Sequence, residues 1–228
     1  MTRRFSFVAA LALVASFATG AQAQSINTSI GSFSQLVPGI SATYSGSSSL
    51  PSVLTIGVTG TYNVLAPQFL INPLGPTQYN NASFNLTATS SSVPNSMGPQ
   101  NSVQGGFSGT FSIVDGMTTI LTGTFSGAQL AVGLNSAFFT VAPNGVNFTG
   151  GIYVPQLIND QFNLAILSLD PQNPASPGGI QGFRSTTVAG NFAAVIPEPA
   201  TLAMAGLGIF ALPLAVRATR RRRSLSSN

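Results

Sequence analysis

Histidine, cysteine, lysine and tryptophan are all missing from the 228 residues. Without His or Cys no Ser-His-Asp or Cys-His nucleophile and no zinc or iron-sulfur site can be assembled. Without Lys there is no Schiff base and no P-loop. No disulfide framework is available either, so the fold must be held by its core. Charge is almost as scarce: charged side chains make up 5% of the chain, against roughly 25% in an ordinary soluble domain. The arginines crowd at the termini, with Arg3 and Arg4 at one end, Arg217 and Arg220 to Arg223 at the other, and Arg184 alone between them. Between Gln24 and Ile196 that Arg faces only Asp115, Asp160 and Asp170, so the body is slightly acidic and a nucleic-acid-binding role is excluded for want of clustered cations.

What is present begins with two hydrophobic ends. Residues 1–23 have the three parts of a secretory signal peptide: Arg3 and Arg4, the mostly apolar run Phe5 to Phe17, and the cleavage-type triplet Ala21-Gln22-Ala23, which predicts a mature N-terminus at Gln24. The apolar run is short for a bilayer span, which argues against an uncleaved anchor. Near the other end, residues 200–216 carry no charge and as a helix would extend about 26 Å, the short edge of what crosses a membrane. Pro213 is tolerated better in such a helix than in water. Arg217 and the block Arg220 to Arg223 follow at once and predict a cytoplasmic stop, leaving the chain up to Ile196 outside. A basic amphipathic tail lying on the membrane would need a polar face, and this segment has none.

Directly before that helix stands Pro197-Glu198-Pro199. Alone, the tripeptide reads as a stiff extended spacer. Followed by one hydrophobic helix and an arginine cluster, on a chain with a signal peptide, it resembles the PEP-CTERM sorting signal of exopolysaccharide-producing Gram-negative bacteria. The resemblance covers about the last thirty residues. It implies that Pro197, Glu198 and Pro199, at the head of a sorting signal over residues 197–223, are recognised by exosortase, an integral-membrane cysteine transpeptidase-like enzyme, that the helix 200–216 is a transient inner-membrane anchor, and that the tail is removed on the way to the cell surface. Two prolines keep the backbone extended and unpaired, the shape a protease-like cleft accepts.

The body, residues 24–196, is long enough for one domain with its own core. Period-two alternation recurs along it. Leu54, Ile56, Val58, Tyr62 and Val64 alternate with Thr55, Thr59, Thr61 and Asn63, and Phe84, Leu86 and Ala88 alternate with Asn85, Thr87 and Thr89. A hairpin is expected within Phe107 to Leu130 around Asp115-Gly116, with Phe111 opposite Leu121, Gly109 opposite Gly123 and a three-residue loop Asp115-Gly116-Met117. A second is expected at Asn144-Gly145, between 137–142 and 146–154. Strands over 162–169 and 182–193, with the Pro/Gly-rich loop 171–179 between them, complete about seven to nine short strands. The expected fold is all-β: a single antiparallel β-sandwich, jelly-roll or immunoglobulin-like, flanked by the signal peptide and the transmembrane helix.

Candidate chemistry in the body is thin. Glycosidases work with two carboxyl groups alone, but Asp115 precedes Gly, Asp160 follows Asn159 and Asp170 precedes Pro171, positions where Asp serves turns. No Gly-x-Ser-x-Gly elbow and no Asp-x-Asp-x-Asp-Gly calcium loop occurs. The expectation is therefore no enzyme, no metal and no cofactor. Tyr44, Tyr62, Tyr79 and Tyr153 read either as cross-strand packing or as a sugar-stacking platform. Residues 41–52 and 87–96 are dense in Ser and Thr and read as candidate O-glycan regions or flexible loops. Outward positions hold Ser, Thr, Asn, Gln and Gly in place of Lys and Glu, a surface that risks edge pairing unless covered, bound or used in assembly. The sequence thus predicts a non-enzymatic cell-envelope or matrix protein, structural or adhesive in a biofilm. The alternatives are a carbohydrate-binding module that retains exopolysaccharide and a plain single-pass membrane-anchored β domain. Expected partners are exosortase, the inner membrane and matrix components such as exopolysaccharide.

Overall fold

Inward apolar and outward hydroxyl residues alternate along strands of 13 to 16 residues, longer than the sequence suggests. The computed structural model describes residues 26–48, 50–153, 158–176 and 178–196. The strands are β1 (Ile26–Gln35), β2 (Ala42–Tyr44), β3 (Ser52–Val64), β4 (Gln78–Ser90), β5 (Asn95–Gly98), β6 (Asn101–Asp115), β7 (Thr118–Val132), β8 (Ser136–Gly151), β9 (Ile158–Asp170), β10 (Ala175–Ser176), β11 (Gly179–Ile180) and β12 (Phe183–Ile196). The segments expected as signal peptide (1–23) and sorting signal (197–223, with the helix 200–216) lie outside the described residues. Among the described residues no helix is long and apolar enough to cross a membrane.

The sandwich expectation is overturned. β12 pairs antiparallel with β9 on one side and with β2 on the other, and the ladder runs on through β3, β4, β6, β7 and β8 back to β9. β1 shares the place of β2, pairing with β3 and neighbouring β12, so the sheet closes into an eight-stranded barrel. Sandwiches and barrels ask the same of each strand, one apolar face and one wet face. They differ in whether the last strand finds the first, and no local pattern records that.

Three bulges lie side by side and bend the long strands around the barrel. The register shifts between Gln104 and Phe107 of β6, between Phe125 and Gln129 of β7, and between Val141 and Val146 of β8. Gly106, Gly127 and Asn144 take positive φ there (72°, 70° and 66°), which Gly and Asn accept most readily. The expected Asn144-Gly145 hairpin is therefore a correction: those residues form a bend inside the continuous strand β8. The β6–β7 hairpin exists, but its register differs by two residues from that expected. Phe111 faces Gly123, Gly109 faces Phe125, and Asp115 faces Thr118 across the two-residue loop Gly116-Met117. Bulk decides this: a Cβ on Gly123 would lie 2.7 Å from the Phe111 ring, so the Phe needs a glycine opposite it. The loop 171–179 in turn carries the small β10–β11 hairpin.

An eight-stranded barrel is just wide enough for side chains to fill it. Here phenylalanine does so. Phe33, Phe84, Phe107, Phe111, Phe125, Phe139, Phe162 and Phe192 are buried, and their rings form a connected stack, with centroids 5.1 Å apart for Phe111 and Phe162, 5.6 Å for Phe162 and Phe192, and 5.4 Å for Phe33 and Phe84. Tilted and edge-on pairs at such spacing add about 0.5–1.5 kcal/mol each beyond their burial.

Candidate functional site

Since the interior is packed, any site among the described residues must lie on the outer wall or at an end. On the outer wall the register joins one exposed residue from each strand into a continuous row. It runs from Asp170 of β9 to Arg184 of β12, Thr43 of β2, Thr55 of β3, Thr87 of β4, Thr110 of β6, Thr124 of β7 and Asn147 of β8. All eight are exposed. At 4.7–4.9 Å per strand the row is about 33 Å long. Because the strands tilt, it climbs as it goes round: it leaves β9 at Asp170 and arrives beside Val146, whose partner is Asp160 near the opposite end of β9. Two concavities open onto it. One, of about 380 Å³, is lined by Thr43, Tyr44, Asp170, Pro171, Gly182, Phe183 and Arg184. The other, of about 330 Å³, spans Thr87, Thr110 and Thr124 and the neighbouring Asn85, Ser112, Thr122 and Thr149.

The barrel end next to β10 and β11 holds a buried neutral network. The Tyr44 hydroxyl donates to Gln104 Oε1, while Gln104 Nε2 donates to Ser52 Oγ at 3.1 Å and to the Ser92 carbonyl at 2.6 Å. Burial pushes the Tyr44 hydroxyl above its ordinary pKa, and its hydrogen bonding with Ser52 opposes the shift. Ser90 Oγ, also buried, donates to the Gly105 carbonyl at 2.6 Å. Residues 41–52 and 87–96 are thus only partly the flexible loops expected: Ser41, Ser52 and Ser90 are buried, and Thr87 to Ser90 belong to β4. Neither Gln104 nor this network was foreseen. The available signal was an amide at a position facing inward like Ser102, with no partner visible in sequence.

At the other end the Tyr62 and Tyr153 hydroxyls meet at 3.0 Å and Tyr153 donates to the Ile30 carbonyl at 2.7 Å. Burial raises both hydroxyls above their ordinary pKa. All four tyrosines are buried, so they pack and offer no sugar-stacking platform. Close by, Asp160 lies inside β9 and not in the loop the sequence suggested. The residue is 3% exposed; its carboxyl accepts a hydrogen bond from the Phe148 backbone N–H and has an Oδ1 with no partner. Desolvation outweighs that one hydrogen bond and lifts its pKa to about 6.

The remaining carboxylates stand apart from it. Asp115 closes the β6–β7 hairpin and Asp170 ends β9 before Pro171. Asp170 faces Arg184 across the ladder, and among the described residues no ion pair is formed. No group of three or more potential metal ligands occurs among the described residues. The sorting residues Pro197, Glu198, Pro199, Arg217, Arg220, Arg221, Arg222 and Arg223, and the cleavage residues Ala21, Ala23 and Gln24, lie outside the described residues.

Comparison with known proteins bears on the C-terminus. No curated protein and no solved structure matches the chain. Residues 195–222 match the family model of the PEP-CTERM protein-sorting motif, which begins at the last two residues of β12. A motif of this kind supports exosortase-dependent sorting of an exported protein to the cell surface, so the chain is a PEP-CTERM domain-containing protein.

Proposed function

We propose that this chain is a non-enzymatic envelope or matrix protein, exported through its signal peptide and held in the inner membrane by the apolar segment 200–216 until exosortase removes the tail. In this reading Pro197, Glu198 and Pro199 are the recognition element, and Arg217 with Arg220 to Arg223 hold the end of the chain in the cytoplasm. The match over residues 195–222 carries the proposal. The order of elements in the sequence supports it: an extended Pro-Glu-Pro spacer, 17 uncharged residues, then the basic cluster. The scatter of the body's carboxylates favours a structural or adhesive role over catalysis, because Asp115, Asp160 and Asp170 sit at a hairpin tip, inside the wall and at a strand end.

Intact-mass analysis and terminal peptides of the protein from its host, with and without exosortase, test the reading. The expected result is an N-terminus at Gln24 and a C-terminus within Pro197 to Ala200, the latter lost when exosortase is absent. A chain ending at Asn228 in both strains overturns it and leaves a membrane-anchored β domain.

A further inference from the structure

Both ends of the barrel expose large apolar side chains. At the end that holds Tyr62 and Tyr153 they are Leu65, Ile71, Leu74 and Met117, and at the other they include Leu50, Val93, Met97 and Leu134. Scattered apolar residues are ordinary on any surface, and what separates the two sets is where the chain leaves the barrel. β12 runs toward the first set, and its Val195 pairs with Ile158 at the start of β9. Backbone hydrogen bonds tie the loop 65–77 across the same end: Leu65 N–H donates to the Ile30 carbonyl, Ile71 N–H to the Ile152 carbonyl and Ile152 N–H to the Ile120 carbonyl. Ser29, next to Ile30, donates through Oγ to Asn191 Oδ1 of β12. Leu74 stands out from the turn 72–75, 94% exposed, and Met117 is wholly exposed at the tip of the β6–β7 loop.

We propose that this end of the barrel seats on the lipid surface of the inner membrane while the chain is still tethered, with Leu65, Ile71, Leu74 and Met117 in the headgroup layer. Reach decides which end. Four residues, 196–199, lie between Val195 and the apolar segment 200–216, and the five chain steps extend at most about 18 Å. Headgroups fill about 5–8 Å of that on each side of the hydrocarbon, so the loops beside Val195 stand against the bilayer. The opposite end, about 30 Å away along tilted strands of this length, is out of reach. Among the described residues the charge nearest these loops is Asp115, and no cation stands at this end to hold anionic headgroups, so the attachment is apolar and insensitive to salt. The four side chains bring about sixteen heavy atoms, comparable to one acyl chain, and one acyl chain gives only marginal, reversible binding. The tether supplies what is missing by holding the end at the surface at high effective concentration. The end therefore seats while segment 200–216 is in the membrane and lets go once the tail is removed.

The inference rests on the membrane anchoring proposed above, and the two fail separately. The chain has no cysteine, so one introduced Cys carries one fluorescent label. Gln68→Cys, exposed in the loop 65–77, reports this end and Leu134→Cys the other. The labelled, tail-bearing chain from a host without exosortase is reconstituted in vesicles of phosphatidylethanolamine and phosphatidylglycerol, with and without a headgroup-level nitroxide lipid. The expected result is flotation with the vesicles, at least twofold quenching at Gln68→Cys that survives high salt, and none at Leu134→Cys. Ile71→Asn, Leu74→Asn and Met117→Asn together are expected to lower the quenching at Gln68→Cys to the level at Leu134→Cys, with flotation and circular dichroism unchanged. A chain that does not float overturns the anchoring and this proposal with it. A chain that floats but is unquenched at Gln68→Cys, is quenched equally at both ends, or stays quenched in the triple variant overturns the proposal alone. So does quenching that requires exosortase in the vesicles, which would make this end a contact with the enzyme. The chain already cut by exosortase is expected not to float, and its flotation overturns the dependence on the tether.

Discussion

The two ends of the barrel solve the same problem with different success. At the end beside β10 and β11, Gln104 brings a buried amide whose oxygen and nitrogen are both taken up, by Tyr44, Ser52 and the Ser92 carbonyl. At the opposite end, Tyr62 and Tyr153 satisfy one another and the Ile30 carbonyl, but Asp160 keeps an oxygen without a partner. A neutral amide can divide its needs among three neutral neighbours. A carboxylate brings a charge that only a cation or several N–H groups can offset, and the single Arg of the body stands on the outer wall beside Asp170. In a chain with so few cations, a buried carboxylate is costly in its ionised form and comfortable only when protonated.

Breaking the satisfied end has the largest expected effect. Gln104→Ala removes an amide that binds three groups and opens a void, and should cost about 3 kcal/mol in chemical unfolding. Tyr153→Phe, at the other end, deletes one hydroxyl bonded to Ile30 and Tyr62 and should cost about 1–2 kcal/mol. Asp160→Asn sharpens the contrast by changing sign: near pH 7 it should raise the melting temperature by a few degrees, since it removes a buried charge whose cost is on the order of 1 kcal/mol. Because the folded pKa is lifted to about 6 from an ordinary 3.8, the folded barrel holds the proton more tightly than the unfolded chain. Wild-type stability should therefore be greatest below about pH 4 and decline as the pH rises through about 6, and the variant should lose that decline. A flat wild-type profile over this range would show that Asp160 is already compensated. The smallest effect is expected at Met117, exposed at the tip of the β6–β7 loop: Met117→Thr should change stability by less than about 0.5 kcal/mol.

How far the sequence anticipates this molecule depends on the range of the interaction involved. The inward series Leu54, Ile56, Val58 and Phe84, Leu86, Ala88 is local, and the burial of those residues follows it. Extending the series Phe162, Leu164, Ile166 one step back places Asp160 on the inner face as well, so its burial was legible, although its neighbour Asn159 argues for a loop. The Pro-Glu-Pro, apolar and arginine elements are contiguous, which is why they could be read without a fold. Closure rests on β12 meeting β9 and β2, contacts between residues more than a hundred apart in the case of β2, and nothing at either site announces the other. The hairpin register turns on Phe111 needing a glycine opposite, which shows once bulk is weighed along with alternation. The outer row was invisible for the same reason: its threonines come from five strands and become neighbours only when every register is known.

Closure also sets a clock. The strands that complete the ring are supplied by opposite ends of the body, β2 at Ala42–Tyr44 and β12 at Phe183–Ile196, and the sorting motif starts at residue 195. A chain emerging N-terminus first shows β1 and β2 early and must keep them waiting, unpaired with β12, until nearly all of the body has appeared. The scarcity of charge gives those waiting strands little to repel one another with, so the unfinished barrel leaves open to wrong pairing the strand edges that the closed ladder takes up. The moment at which that hazard ends coincides with the appearance of the sorting motif, so a chain presented for sorting is one whose last strand is in place to fold.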